Sequence, residues 1–346
     1  MRRWAPALGL VDEPDFHRKV HDTPTPLGGG VAIWMGVVLP LAGVQLGVWV
    51  FTQYDVLPTW FPPDLVKHLD GVLYKSGPMW TIVGSASILA LMGFIDDRRN
   101  LPWAPRLFVQ LFVAIFLVYS GIRVTAFIQL PWIGYTISVL WIMVLVNSFN
   151  FLDNMDGLSS GIALVASSLC AIIMMTSMSE PHWFVGGVFI MLSGSLCGFL
   201  GHNWPPARIF MGDSGSYFIG LMLATMTMQG TFYQPDPAVV GKHVILAPLC
   251  ILAIPLYDFT SVMVIRLAEG RSPFHPDKSH FSHRLVEIGL KPRDAVLTIH
   301  LATLTTGLGG LLLYKVQNWP AAMLVVSLIA CVLAIVAILE TVGRKD

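Results

Sequence analysis

Charge is scarce in this sequence: Asp, Glu, Lys and Arg make up 12% of its 346 residues. A soluble domain carries about 25%. With 55% of the chain hydrophobic, too few charges remain to keep its surface in water. That excludes an ordinary soluble globule and leaves lipid as the solvent. Cysteine is scarce too. Cys170, Cys197, Cys250 and Cys331 stand singly inside apolar runs, so they offer neither a disulfide framework nor a CxxC metal site and read as small apolar fillers. The formal net charge is zero, which gives no footing for a nucleic-acid partner. Internal repeats and low-complexity segments are not evident. Met1 to Val11 reads poorly as a cleavable leader, because it is short, holds Pro6 and runs into the charged stretch 12–19 rather than a small-residue cleavage site.

Apolar length is what the chain has in abundance. A helix crossing the hydrocarbon needs roughly 20 mostly apolar residues. Ten windows come near this: 28–50, 78–95, 106–122, 131–147, 157–178, 183–200, 215–230, 243–265, 296–314 and 319–339. Pro248 and Pro255 are expected to kink the eighth. The expected fold class is an all-α polytopic membrane protein of about ten transmembrane helices. One domain covers 1–346, and a long polar loop occupies 266–295. With the N-terminus inside, sixteen of the 21 Lys and Arg residues fall in cytoplasmic segments, as the positive-inside rule requires for an even number of spans. Every dense polar cluster falls on that same face. Ionisable groups in the middle of the windows are nearly missing, Asp258 being the main exception. An ion-coupled transporter would hold charge near the midplane, so an enzyme fed from the cytoplasm is the better match.

Four elements carry candidate chemistry. Gly93-Phe-Ile-Asp-Asp-Arg-Arg-Asn100 puts Asp96 and Asp97 at a helix C-terminus, against the negative end of the helix dipole. The pair reads either as a charged stop or as a base and a phosphate- or metal-organising carboxylate. In Asn147-Ser-Phe-Asn-Phe-Leu-Asp-Asn-Met-Asp-Gly-Leu158, polar residues recur at every third position: Asn147, Asn150, Asp153 and Asp156. That spacing keeps them near one helical face, with a break expected at Gly157. In the third element, 202–216, Asp213 lies between Gly212 and Ser214-Gly215 just before an apolar run. It suits a helix cap, a phosphate-binding helix start or a magnesium ligand. Trp204 and Phe210 there suit an interfacial aromatic belt or a base-stacking surface. The fourth, Gly270–Leu285, combines His280 and His283 with Arg271, Lys278 and Arg284. It lacks further zinc ligands at a recognisable spacing and suits an anionic diphosphate. Together the inventory fits a magnesium-dependent reaction on phosphates.

These four elements, in this order and behind the segment Gly9–Gly30, resemble the polyprenyl-phosphate N-acetylhexosamine-1-phosphate transferases. The likeness covers about 9–295 and is closer to the WecA and TagO branch than to the MraY translocases. It implies a UDP-sugar such as UDP-N-acetylglucosamine as donor and undecaprenyl phosphate as acceptor, with UMP released. The product would initiate cell-envelope polysaccharide synthesis at the bacterial inner membrane, and the resemblance leaves room for a homodimer. It also implies roles. Asp96, Asp97 and Asp153 would be catalytic; Asp213 and Asn150 would hold magnesium, for which manganese can substitute. Asp156, Asn203 and Phe210 would hold the nucleotide, with Phe210 stacking on uracil. Arg271, His280 and His283 would bind sugar and diphosphate, and Lys19 and Asn147 the lipid phosphate. Ser282 stands where the family has a histidine, Asn154 where it has glycine, and Pro26-Leu-Gly-Gly-Gly30 lacks the family's arginine. The family also implies one more span ahead of Gly9. A flippase for an anionic lipid-linked sugar and a non-catalytic family member are the competing readings.

Overall fold

The computed structural model describes residues 5, 9–12, 24–55, 57–59, 61–124, 130–178, 180–231, 241–272 and 280–342. A two-residue strand β1 (Val11–Asp12) pairs antiparallel with β2 (Thr25–Pro26), Val11 opposite Pro26. The helices follow: α1 (Gly29–Tyr54), α2 (Pro63–Val66), α3 (Leu69–Tyr74), α4 (Ser76–Arg99), α5 (Trp103–Tyr119), α6 (Pro131–Leu152) and α7 (Leu158–Thr176). Next are α8 (Trp183–Asn203), α9 (Gly212–Thr231), α10 (Ala247–Ile251), α11 (Ala253–Ala268), α12 (Phe281–Glu287), α13 (Pro292–Leu313) and α14 (Trp319–Val342). Helix is the only open-ended way to satisfy backbone groups in hydrocarbon, and the sequence punctuates it. Pro131 and Pro292 open α6 and α13, Gly157 with φ 73° precedes α7, and Asn100 with φ 48° ends α4.

Each of the ten apolar windows coincides with a helix, but not every helix meets the same standard. Among the described residues, seven are long and apolar enough to cross a membrane, or eight when the bent α10–α11 pair counts as one span. The count of ten is therefore an expectation and not a finding. Of the other two, α5 is only 17 residues long, and α9 is diluted by Gly, Ser and Thr. The expected kink is real: the chain bends by 67° between the two halves. Pro255 has no N–H to give the Ile251 carbonyl, and its ring would clash there. The break falls at Leu252.

Helix α9 is the central column, buried almost throughout and surrounded by α1, α4, α6, α7 and α8. Its small residues allow the close approach that membrane helices use in place of a hydrophobic driving force. At one rim of the bundle lie the starts of α1, α5, α7, α9 and α13 and the ends of α4, α6, α8 and α11. This alternation gathers the described residues of all four polar elements at a single end.

Candidate active site

The site is built around the first turn of α9. Its leading N–H groups have no partners within the helix, and Asp97, from the last turn of α4, supplies them. Asp97 Oδ1 accepts from the Asp213 amide at 2.8 Å and Oδ2 from the Ser214 amide at 3.3 Å. The cap comes from a different helix, 116 residues earlier, and it fixes where Asp213 stands. Close approach makes this possible. A methyl group on Gly93 would sit 2.5 Å from both the Asp213 carbonyl oxygen and the Ser214 nitrogen. Gly212 holds φ 72° at the turn itself. From the other side, the Gly29 and Gly30 amides donate to the carbonyls of Phe210 and Met211, both at 2.9 Å, and Phe210 N–H donates to Pro26 O. The front segment thereby locks the loop that leads into α9.

Asp213 is held at both oxygens. Asn150 Nδ2, on the last turns of α6, donates to Oδ1 at 2.6 Å, and Arg106 Nη1, on the first turn of α5, stands 3.5 Å from Oδ2. The same Arg106 nitrogen donates to Asp96 Oδ2 at 2.8 Å, while Asp96 Oδ1 accepts from Leu101 N–H. Asp96 is almost fully buried, and that arginine is its ion-pair partner. Asn147, one turn before Asn150, bonds Gln110 Oε1 at 2.8 Å. Asp153 lies just past the end of α6 and accepts from the Gly212 amide. Burial above all, then the nearby Asp97, and to a lesser degree Asp156, push its carboxyl up to about 7, against the Gly212 hydrogen bond. Among the described residues, Asp96, Asp97, Asp153 and Asp213 thus gather at one helix start, and Arg106 pairs with two of them.

The model of glycosyl transferase family 4 matches residues 79–231. The chain is 30% identical to "Probable undecaprenyl-phosphate N-acetylglucosaminyl 1-phosphate transferase" of Bacillus subtilis (strain 168), over 100% of this chain and 88% of that protein. It is 32% identical to decaprenyl-phosphate N-acetylglucosaminephosphotransferase of Mycobacterium leprae, over 95% of this chain and 83% of the relative. To undecaprenyl-phosphate alpha-N-acetylglucosaminyl 1-phosphate transferase of Escherichia coli (strain K12) it is 29% identical, over 95% and 83%. The chain belongs to glycosyl transferase family 4.

In this transferase, Asp96, Asp97, Asn150, Asp153 and Asp213 form one group around the α9 start, and Asn147 sits a turn below. The nucleotide candidates lie alongside. Asp156 Oδ2 accepts from Ala207 N–H at 2.8 Å. Asn203 is buried, and its amide is spent on Gly157 N–H, Ser160 Oγ and the Ile209 carbonyl, so it ties the start of α7 to the 204–211 loop. Phe210 is half-buried between Pro26 and Gly29. His280 is buried against Phe151, its ring 5.8 Å away edge-on, with the His283 ring 6.3 Å further on. Arg271 lies at the exposed end of α11 in an ion pair with Glu269. Lys19 falls outside the described residues. Asp153 and Asp156 are not on the helix that carries Asn147 and Asn150, because α6 ends at Leu152.

Sequence reasoning missed Arg106 and Gln110. An arginine at a cytoplasmic helix end is already explained by the positive-inside rule, so nothing set Arg106 apart. It also missed that two departures from the family pattern meet: Ser282 Oγ donates to Asn154 Oδ1 at 2.8 Å. This bond joins the histidine segment to the Asp153–Asp156 turn. Ser282→Ala and Asn154→Ala should therefore not be additive. The expected coupling is about 1 kcal/mol, read as a double variant whose turnover is close to that of either single variant. Simple multiplication of the two losses would show that the bond is incidental.

Proposed function

We propose that this transferase moves N-acetylglucosamine 1-phosphate from UDP-N-acetylglucosamine to undecaprenyl phosphate, at the cytoplasmic face of a bacterial inner membrane. The observation that carries the proposal is the placement of Asp213, pinned by Asp97, Asn150 and Arg106 at a helix start that opens on the rim. The relatives' names supply the acceptor and the sugar phosphate, and the resemblance supplies the uridine nucleotide.

A magnesium ion fits the residues present. Among the described residues no three carboxylate, imidazole or thiol groups converge to cage an ion. Magnesium does not need such a cage, since it binds through one or two carboxylates plus substrate phosphates. Asp213, with Asn150 beside it, would hold it, within a group of four acids gathered at the start of α9. When bound, the ion supplies positive charge to the donor's diphosphate.

The chain's own residues do the rest. An oxygen of the lipid phosphate attacks the phosphorus that bears the sugar, and the bond from that phosphorus to the UMP oxygen breaks. Holding the two phosphates in line accounts for most of the rate of such a transfer. Arg106 and the histidine segment would supply positive or hydrogen-bonding groups to the reacting phosphates. Asp97, with both oxygens on backbone amides, keeps Asp213 in place, while Asp153, which takes a single backbone amide, from Gly212, would accept a proton from the lipid phosphate. Asp156 and Phe210, on the turn and the loop beside this group, would hold the uridine.

Purified protein with undecaprenyl phosphate, labelled UDP-N-acetylglucosamine and magnesium should yield labelled lipid and UMP. No labelled lipid with any UDP-sugar tried would overturn the proposal. The pH profile tests Asp153. A base that takes this proton must be ionised while the lipid phosphate, which ionises near 6, still carries it, so with the Asp153 carboxyl at about 7 kcat/KM should peak between about 6 and 7 and fall on both sides. In Asp153→Asn the fall above 7 should disappear and the maximum should drop. An unchanged profile would remove Asp153 as the base.

A further inference from the structure

Asp258 is an acid in the middle of α11, 2% exposed, in a helix pair that reads as a membrane span. A carboxylate there is costly unless its oxygens are satisfied. Both are satisfied, and by adjacent residues of one distant segment: His280 Nδ1 lies 2.9 Å from Oδ2, and Phe281 N–H donates to Oδ1 at 3.0 Å. A carboxylate already taking a backbone N–H is an acceptor, so Nδ1 carries the hydrogen in this pair. That leaves Nε2 as the imidazole's working atom. The neighbouring residue repeats the pattern. Tyr257 donates its hydroxyl to Glu340 Oε2 of α14 at 2.6 Å, and its ring meets Phe281 edge-on at 6.4 Å. Two consecutive residues of α11 thus grip two consecutive residues of the histidine segment.

The grip points towards the chemistry. His280 packs on Phe151, which carries the Arg266 guanidinium 5.0 Å from its ring centre. Phe151 directly follows Asn150, the residue bonded to Asp213. We propose that Asp258 is the positioning residue of His280, fixing its ring and tautomer so that Nε2 is presented to the donor's sugar-diphosphate. This rests on the reading of His280 as a donor contact, and it adds a function for an acid that the membrane interior would otherwise exclude.

The test is a double-variant cycle on the full-length protein in detergent, with UDP-N-acetylglucosamine and undecaprenyl phosphate. Asp258→Asn should lower kcat by roughly tenfold to a hundredfold, as loss of a histidine's orienting partner does elsewhere, with KM for undecaprenyl phosphate unchanged. On the His280→Ala background the same change should cost nothing further. An equal penalty on both backgrounds would mean that Asp258 merely holds the bundle together, and the proposal would fall. It would fall equally if Asp258→Asn were fully active beside an impaired His280→Ala. Full activity in His280→Ala is a different failure, of the reading of the segment as part of the site. If Asp258→Asn does not survive purification, Asp258→Glu takes its place in the same cycle.

Discussion

Asp213→Asn should abolish transfer while the protein stays folded, with turnover down by about a thousandfold, in the range for a charged group at a phosphoryl-transfer centre. The substitution keeps size and shape, so the bonds that build the site survive it. The Asp213 backbone amide still reaches Asp97, and an amide oxygen can still accept from Asn150. What is lost is the negative charge 3.5 Å from Arg106 and the oxygen that would bind magnesium. Arg106 retains Asp96 as a partner at 2.8 Å, so no buried charge is stranded and the melting temperature should move little. Labelled-lipid formation and a thermal melt in detergent, run side by side, check both halves. Full activity would overturn the metal assignment. A collapse in melting temperature would show that the carboxylate supports the fold instead of the reaction.

Much of this was legible along the chain, and for a physical reason. Hydrocarbon leaves the backbone so little choice that a run of apolar residues already means a helix, and Pro248 with Pro255 already means a bend. The gathering of Asp96, Asp97, Asn150, Asp153 and Asp213 was legible as well, since short loops and alternating direction return every second helix end to the same rim. What stayed hidden depends on pairing across the fold. Asp97 reads as a base from its motif, yet its oxygens serve the backbone of α9 116 residues on. Asn203 reads as a nucleotide contact, and its amide also ties the protein's own loop to the start of α7. Asp258 stood out as an anomaly, but its partner lies 22 residues away through a loop with no regular spacing. Composition also understates α9, which is the most enclosed helix and is not among the most apolar. Its glycines and serines are what allow its neighbours to come close.

That closeness yields the other large effect, at a residue with no functional group. Gly93→Val should cost about a hundredfold in turnover, because even a 1 Å displacement of a reacting group can cost that much, and about 1–3 kcal/mol in stability through overpacking. The obstruction is specific. The atoms in the way are backbone, the carbonyl of Asp213 and the amide of Ser214, and backbone cannot rotate aside as a side chain can. Either α4 or the first turn of α9 must move, and in both cases the Asp97 cap opens. Gly84, on the same helix, supplies the control: a Cβ there meets nothing within 4 Å. Gly84→Val should therefore leave turnover within about twofold, as a surface change free of packing should. If Gly93→Val and Gly84→Val behaved alike, helix propensity and not the α4–α9 crossing would be setting the cost, and the position of Asp213 would not depend on that contact. If only Gly93→Val fails, the glycine is part of the catalytic geometry, because it sets the distance from Asp97 to the helix that carries Asp213.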